Sequence, residues 1–483
     1  MRGRGAALVL CVCLGCGCGD DERPGGRDSG PVIPPAQIDP LVAFEGHRRM
    51  AVSITADGVD LTDATVAPDD PSGSLTVVAQ RCNRVRCGAL LAVADTRGNL
   101  GMPIPAPIDA RNELLRIDAP SGPRRALLSV MPLDAITNGG STPLMVRGTV
   151  MASSANATAG STFRGTVGDP VRWVIFGGGA LHGTVDVSAE GAEARAGGAP
   201  GGAAGLDGAG GGAGRAGLGG GGGGGAGAAE LGTAGLGADG SIDGGGAGGA
   251  AAGDPPLSCL GRFDGAPCGG SGGGGATGSG GAGGGGLLIV ALEPMDFGGG
   301  RLLVRGGDGA DGGGGGSGGD LLLAAPSLTA PDTLEVGGGL GGPGAAGPGA
   351  GGEGSRGRLR ADLGTGNLAA AWTGPSVDLA GLEQLTSAGV MTLRGRASAD
   401  AAIEVAAIGG GLARTTTADA AGAWSVDVDL VPGLNRLAVT ATGAEGTTRT
   451  WTGTNIELAR ASPGASPLPV GATVDVVFVP DSE

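Results

Sequence analysis

The sequence predicts a mainly β fold, and three observations support this prediction. Short apolar runs alternate with polar residues at a period of two, and Asp, Gly and Pro separate them. Residues 37–160 lack the three-to-four-residue apolar spacing of an amphipathic helix. Glycine accounts for 111 of the 483 residues, which disfavours helix interiors. We therefore expect β-sheets throughout, with a glycine-dominated segment of different packing in the middle.

The first eighteen residues have the pattern of an export signal. Arg2 and Arg4 precede the apolar run 6–14, which as a helix would span only about 14 Å and could not cross a bilayer. The sequence Leu-Gly-Cys-Gly-Cys that follows resembles the lipobox of bacterial lipoproteins, in which a cysteine after small residues is lipidated. The resemblance implies lipidation at Cys16, with Cys18 as the alternative, since that family usually places the Leu three residues before the cysteine. A cleaved signal peptide that happens to contain cysteines is the other interpretation.

Residues 19–36 predict a flexible tether after the signal peptide 1–18. They are rich in Asp, Arg, Gly and Pro, a composition that cannot bury a core. Together with the lipobox, the tether predicts an exported lipoprotein held by its N-terminal acyl chains in the cell envelope, in the outer membrane or at the cell surface.

Residues 37–160 predict an antiparallel β-sandwich. Alternating apolar runs punctuated by turn residues are typical of this fold. The runs occupy residues 50–54, 75–78, 114–117, 126–130 and 144–150. No catalytic or ligand-binding pattern occurs among them.

Four further cysteines form two close pairs. Cys82 and Cys87 enclose four residues, and Cys259 and Cys268 enclose eight. A disulfide can close either loop, and oxidising compartments favour disulfides. A four-cysteine zinc site would need CxxC-type spacing, which neither pair has. We therefore predict two local disulfides.

Residues 161–386 form a glycine-rich repeat region. Apolar runs recur at Leu287, Leu321 and Leu359, and in the two units between them each run is followed by a short break, a second run and a glycine run. A regular period of this length predicts a β-solenoid, in which each unit buries its apolar face on its neighbours. The glycine runs would then pack as a polyglycine-II-like array of extended chains. A disordered linker is the alternative, because Gly loses the most entropy on ordering.

This glycine-rich region resembles two known classes of segment. One is the glycine-rich extracellular segment of the anaplastic lymphoma kinase receptor class, and the other is the glycine-spaced strand repeats of bacterial surface proteins. The resemblance rests on composition and spacing and implies no functional residue.

Residues 387–457 carry the most specific pattern in the chain. They read T-L-R-G-R-A, then I-E-V, then T-T-T-A-D, then G-A-W-S-V-D-V-D-L, and finally G-L-N-R-L-A-V-T-A-T. This succession resembles the bacterial immunoglobulin-like repeats of surface proteins, which implies an immunoglobulin-like sandwich used as a spacer or adhesin stalk without catalytic residues. The alternation places eight side chains on one buried face: Leu393, Ile403, Val405, Trp424, Val426, Val428, Leu437 and Val439. In the tail 458–483, the apolar run 474–479 predicts a final strand that pairs with an existing sheet.

One segment matches a calcium-binding pattern in part. Residues 306–311 fit the first six positions of the nonapeptide G-G-x-G-x-D-x-U-x, which makes Asp308 and Asp311 weak calcium candidates. The eighth position should be a large aliphatic residue but is Gly313, and no second copy follows. We therefore predict no bound metal.

The remaining motifs predict no catalytic site. Ser271 and Ser317 lie in G-x-S-x-G patterns, but no His follows either of them to complete a hydrolase triad. His47 and His182 are isolated in the sequence. All basic residues are Arg, so the chain has neither a phosphate-binding nor a Schiff-base lysine. We expect no enzyme activity and no cofactor.

These observations predict a non-enzymatic, lipid-anchored cell-surface protein with a structural or adhesive role in the bacterial envelope. Its expected partners are the membrane and an envelope glycan or surface protein. The formal net charge of −16 argues against a nucleic-acid partner, since a phosphate backbone attracts clustered cations. The alternative is a carbohydrate-binding surface protein, for which the chain offers four Trp and six Phe as stacking platforms.

Overall fold

The fold is taken from a computed structural model of the chain, and it is built from strands. The structure describes residues 35–94, 111–210, 212–223, 245–248, 267–344, 349–365, 368, 372–373, 376–378, 382–408, 413–443, 448–450, 455–459 and 468–482. All regular secondary structure in these ranges is β-strand, which confirms the mainly β prediction.

Eight strands form two four-stranded sheets around one hydrophobic core at the start of the described chain. They are β1 Gln37–Asp39, β2 Val42–Phe44, β3 Met50–Thr55, β4 Thr65–Pro68, β5 Leu75–Cys82, β6 Arg86–Val93, β7 Arg111–Ala119 and β8 Gly122–Met131. One sheet has the order β1-β3-β6-β5 and the other β2-β8-β7-β4. All pairs are antiparallel except β2–β8. In β7, Leu115 and Ile117 face the core while Leu114, Arg116 and Asp118 face solvent, as period-two alternation requires.

The central part of the chain consists of three ladders of parallel strands. Its strands are β9 Ile136–Asn138, β10 Leu144–Val146, β11 Thr149–Ala152, β12 Ala155–Ala157, β13 Thr162–Gly165, β14 Val171–Ile175, β15 Gly179–Leu181, β16 Thr184–Asp186, β17 Leu287–Ala291, β18 Met295–Asp296, β19 Arg301–Leu303, β20 Leu321–Thr329, β21 Thr333–Glu335, β22 Leu359–Thr365 and β23 Trp372–Thr373. The first ladder is β9-β12-β15-β18-β20, the second β10-β13-β16-β19-β21, and the third β11-β14-β17-β20-β22-β23. The chain visits the ladders in turn, and the long strand β20 belongs to the third and then the first.

One apolar run behaves differently from the sequence prediction. Residues 144–150 were expected to form a strand of the N-terminal antiparallel sheets, but they supply two strands of the parallel ladders. Gly148, between β10 and β11, has φ +62°, a conformation that glycine adopts without a steric penalty. This residue turns the chain from the second ladder to the third and so divides the run.

Both faces of the third ladder are buried. The inward side chains of β14 and β17, such as Trp173 and Ile289, pack in the core that the ladders enclose. The outward side chains Val174, Leu288 and Leu322 pack in a second cluster with Phe44 and Met131 of the N-terminal sheets: the full cluster also holds Leu133, Phe176, Val290, Leu292 and Ala324. Burial on both faces explains why these strands read as continuous apolar runs.

The C-terminal part forms two further sheets around their own core. Its strands are β24 Ser376–Val377, β25 Leu385–Thr386, β26 Val390–Arg396, β27 Ala402–Ala407, β28 Arg414–Thr417, β29 Ala423–Asp429, β30 Gly433–Thr442, β31 Thr448–Thr450, β32 Asn455–Ala459 and β33 Leu468–Phe478. One sheet is β24-β26-β29 and the other contains β25-β33-β30-β27-β28. Seven of the eight side chains predicted to share a buried face are buried, and Val426 is half-buried. The final strand β33 pairs with β30 and β25, as the apolar run 474–479 predicted.

The N-terminal and C-terminal sheets pack directly on each other. Ala51 and Leu90, on the outer face of the first sheet, are buried against Val477 and Val479. At Gly88 an added Cβ would lie 2.6 Å from the Val477 side chain, so the approach leaves no space for a larger residue. Ion pairs link Arg81 to Asp481 and Arg436 to Asp39 across the same contact. The two ends of the described chain are thereby joined in one compact unit.

Truncation of Trp424 should destabilise the C-terminal sheets. The ring is 4% exposed and packs so closely on Gly395 that a Cβ there would lie 2.6 Å from it. Trp424→Ala should lower the free energy of unfolding by about 3–5 kcal/mol, because it leaves a large cavity. Trp424→Phe should cost less, since it keeps an aromatic ring and the indole Nε1 has no hydrogen-bond partner among the described residues. Denaturant unfolding followed by circular dichroism measures both, and an unchanged midpoint for Trp424→Ala would contradict the assignment.

Candidate functional site: the glycine array

Three glycine-rich insertions leave the second ladder and return in the third. They connect β16 to β17 (residues 187–286), β19 to β20 (304–320) and β21 to β22 (336–358). Because the strands they connect are stacked in register, the insertions emerge one above another. We call the described residues of these insertions the glycine array.

Inside the array, backbone hydrogen bonds run in three directions from a single chain. Gly314, Gly315 and Gly316 donate to carbonyl oxygens of three different neighbouring runs, and the next three residues repeat the sequence of directions. The donor–acceptor pairs and their N···O distances are Gly314–Gly274 2.8 Å, Gly315–Gly352 2.8 Å, Gly316–Gly307 2.9 Å, Ser317–Ser271 2.8 Å, Gly318–Ser355 2.9 Å and Gly319–Val304 2.9 Å. A three-residue repeat of bonding direction has the same period as a polyproline-II helix, which has three residues per turn.

The close approach of the runs explains the glycine content. A Cβ added at Gly314 would lie less than 3.0 Å from the carbonyl oxygen of Gly221, and one at Gly316 would lie as close to that of Ala282. Neither glycine has a positive φ, so space and not backbone conformation requires glycine here. Positive φ values occur instead at the tip of the second insertion, at Asp311 (41°) and Gly312 (80°), where the chain reverses.

The two serines of the G-x-S-x-G patterns lie inside the array. Ser317 and Ser271 are 0% and 3% exposed. The Ser317 hydroxyl accepts a hydrogen bond from the Ser271 N–H at 2.7 Å and donates to the Ser271 carbonyl at 3.3 Å. The Ser271 hydroxyl accepts from the Gly212 N–H at 3.0 Å. Both hydroxyl groups therefore join neighbouring runs and are not presented to a substrate.

A buried carboxyl group lies where the array meets the third ladder. Asp320, the last residue of the second insertion, is 1% exposed. Its Oδ2 accepts a hydrogen bond from the Cys268 N–H at 3.2 Å, and its own N–H donates to the Cys268 carbonyl at 2.9 Å. Burial raises the pKa of Asp320 to about 7, although the positive charge of Arg358 opposes this shift. Nothing in the sequence marked this residue beyond its position between a glycine run and an apolar run.

The predicted calcium residues lie elsewhere in the array. The Asp308 carboxylate pairs with Arg305 at 2.7 Å and accepts from the Leu340 N–H at 2.8 Å. Asp308 borders a cleft of about 460 Å³ that Glu190 and Glu335 also line, whereas Asp311 is exposed at the tip of the insertion. The described residues contain no group of three or more His, Cys, Asp or Glu side chains placed to hold a metal ion.

The cysteine predictions are placed only in part. Cys82 and Cys87 form a disulfide at the end of the β5–β6 hairpin. Cys268 is disulfide-bonded, and its predicted partner Cys259 lies outside the described residues. The candidate lipidation residues, Cys16 and Cys18, also lie outside them.

The two histidines lie in different environments. His182 is half-exposed, and its Nε2 lies 3.1 Å from the Asp296 carboxylate on the surface of the first ladder. The Asp296 carboxylate also accepts a hydrogen bond from the Gly298 N–H. This bond, together with the one to His182, lowers the pKa of Asp296. His47 is buried beside the Phe176 ring, at a centroid distance of 6.2 Å.

Every aromatic side chain that the structure describes is buried. These are Phe44, Phe163, Trp173, Phe176, Phe297, Trp424 and Phe478. Trp173 meets Phe163 edge to face at a centroid distance of 5.0 Å within the core of the ladders. The side chains of Phe263, Trp372 and Trp451 lie outside the description.

Comparisons of the chain with protein-family models, with curated proteins and with solved structures found no match. Among the described residues, no helix is long and apolar enough to cross a membrane.

Proposed function

We propose that this protein is a non-enzymatic, lipid-anchored component of the bacterial cell surface with a structural or adhesive role. The observation that carries the proposal is the glycine array. Each N–H from Gly313 to Leu321 donates to a backbone carbonyl, and the interior has almost no side chains that could rearrange. Such an element fits a rigid structural or binding surface better than a catalytic site, since catalysis requires polar side chains placed around a cleft.

The finer architecture belongs to the same proposal. We interpret the three parallel ladders as a short β-solenoid and the insertions as a polyglycine-II-like array on one of its corners. The in-register pairing of successive strands supports the first interpretation, and the three-direction hydrogen bonding supports the second. We interpret the N-terminal sheets as a sandwich and the C-terminal sheets as an immunoglobulin-like sandwich, on the basis of their two-sheet cores.

The packing of the sheets modifies how an adhesive role would work. A row of separate modules would act as a stalk, but here the C-terminal sheets rest on the N-terminal ones. The array would therefore be carried on a compact body, and the predicted tether would join that body to the acylated N terminus. The tether is shorter than the predicted 19–36, because Ala36 is buried in the N-terminal core. The carbohydrate-binding alternative gains no support from the described aromatic side chains, because all of them are buried and none can stack on a sugar ring.

Membrane anchoring through Cys16, with Cys18 as the alternative, can be tested by acylation and fractionation. The double variant Cys16→Ser/Cys18→Ser should lose all incorporation of labelled palmitate and leave the membrane fraction, since acyl chains supply the membrane affinity. Each single variant then identifies the acylated residue, and Cys82→Ser serves as a control that should remain membrane-bound. A double variant that stays in the membrane fraction, together with a wild type that takes up no palmitate, would show the anchor proposal to be wrong.

A further inference from the structure

Asp320 holds together three parts of the molecule at the base of the glycine array. Its backbone and side chain both bond to Cys268 in the first insertion. Its carbonyl oxygen accepts a hydrogen bond at 2.9 Å from the N–H of Leu287, the first residue of β17. The next residue, Leu321, donates to the carbonyl of Arg358 at the end of the third insertion, at 2.8 Å. A change at Asp320 therefore acts on all three insertions where they join the sheet.

The surroundings of this carboxyl group do not fully solvate a negative charge. The Oδ1 atom is buried and makes no well-formed hydrogen bond to a described residue, and the backbone N–H groups of Cys268 and Arg358 are the donors that favour the ionised carboxyl. The charged group that acts on the carboxyl is Arg358, which is itself 5% exposed, while Cys268 is disulfide-bonded and does not titrate. Leu321 and Leu359, which follow at the start of β20 and β22, contribute only apolar side chains. Ionisation would thus leave a buried charge with incomplete hydrogen bonding, which is costly.

We propose that Asp320 is a proton-controlled lock of the glycine array: its neutral carboxyl group favours the closed state, in which the insertions are seated on the third ladder, and its ionisation favours the opening of their base to water. Opening would give the carboxylate the hydrogen bonds that it lacks in the closed state. This regulation goes beyond the proposed surface role and does not depend on whether the chain is lipid-anchored.

The titration of Asp320 gives the pH range and direction of the effect. Burial raises its pKa from 3.8 to about 7 in the closed state. Between these two values the open state releases a proton that the closed state keeps, so the closed state loses stability as pH rises. Below pH 4 both states are protonated, and above about pH 7 both are ionised, so the effect is confined to the range between. Within this range the population of the open state should rise by up to about tenfold per pH unit.

Hydrogen exchange of the full chain from pH 5 to pH 9 tests the proposal. Protection factors, corrected for the intrinsic pH dependence of exchange, should fall toward pH 7 at the amides of Cys268, Leu287 and Leu321 and then level off. Amides of β26 and β29 in the C-terminal core provide an internal reference. In Asp320→Asn the same protection factors should be independent of pH, because the amide cannot ionise.

Two controls separate Asp320 from other groups. Asp311→Asn, at the exposed tip of the same insertion, should behave as the wild type. Burial also raises the pKa of Glu293, so Glu293→Gln should be measured in parallel and should retain the pH dependence. Protection that is flat in the wild type, or that still falls with pH in Asp320→Asn, or that becomes flat in Glu293→Gln, would overturn the proposal.

A measurement on the wild type alone covers the case in which Asp320→Asn does not fold. With ¹³C-labelled Asp, the infrared band of a protonated carboxyl group should be present at pH 6, where exposed Asp side chains are ionised, and should disappear by pH 9. Its absence at pH 6 would show that Asp320 is already ionised and would overturn the proposal.

Discussion

Gly314→Ala is expected to disrupt the glycine array, even though it adds a single carbon atom. The new Cβ would lie less than 3.0 Å from the carbonyl oxygen of Gly221, and backbone atoms of a neighbouring run cannot move aside as a flexible side chain can. Overpacking of this kind costs about 1–3 kcal/mol, and here it also threatens the hydrogen bonds of Gly314 to Gly274 and of Gly315 to Gly352. Limited proteolysis should cut residues 304–320 faster in the variant than in the wild type.

Gly337→Ala is the matched control for this substitution. Gly337 lies in the third insertion, has an ordinary φ, and has open space around the position of a Cβ. Alanine there should be neutral or stabilising by about 0.4–1 kcal/mol, because it restricts the unfolded chain. Equal proteolysis and equal unfolding midpoints for the two variants would mean that the runs are not packed as the structure shows. A flexible linker would give that result.

Arg360→Leu should strongly destabilise the third ladder. Arg360 and Asp362 are both buried, and the Arg360 Nε lies 2.9 Å from the Asp362 Oδ1. Removal of the Arg leaves a buried carboxylate without this partner, which costs about 3–5 kcal/mol. Thermal unfolding should show a large drop in the transition temperature at neutral pH.

The double variant Arg360→Leu/Asp362→Val distinguishes loss of the ion pair from loss of packing. Across the third ladder, Arg360 lies beside Leu322, which lies beside Leu288. Asp362 likewise lies beside Ala324, which lies beside Val290. Apolar residues therefore continue two existing rows, and replacement of a buried ion pair by apolar residues is often neutral. The double variant should be more stable than Arg360→Leu. If instead it is no more stable than the single variant, the loss in Arg360→Leu comes from packing and not from an unpaired buried carboxylate.

Local sequence patterns were sufficient to predict structure where the contacts form between residues close in the sequence. The alternation around Trp424 predicted which side chains face the C-terminal core, because a strand turns successive side chains to opposite faces whatever it packs against. The recurrence of apolar runs at Leu287, Leu321 and Leu359 predicted that they stack, and they are direct neighbours in one parallel ladder. In both cases the information lies within a few tens of residues.

The same reasoning failed where one glycine or one distant contact decides. The run 144–150 reads as a single strand, but Gly148 turns the chain between two ladders. Arg360 and Asp362 are charged residues in an apolar run, and nothing in that local pattern indicates that both are buried. Of the candidate site, the sequence predicted the crowded glycine runs but not Asp320 and its pairing with Cys268, since the two residues are 52 positions apart.

The amino-acid sequence by itself determined that this protein is mainly β, where its glycine-rich region lies, and which faces of its C-terminal strands are apolar. These properties follow from backbone preference and side-chain period, which act within a strand. Only the tertiary structure decided that Phe44 packs with the third ladder, that Val477 packs over Gly88, and that the carboxyl group of Asp320 is buried at the base of the array. Burial depends on which distant segments come into contact, and the local sequence pattern does not specify those contacts.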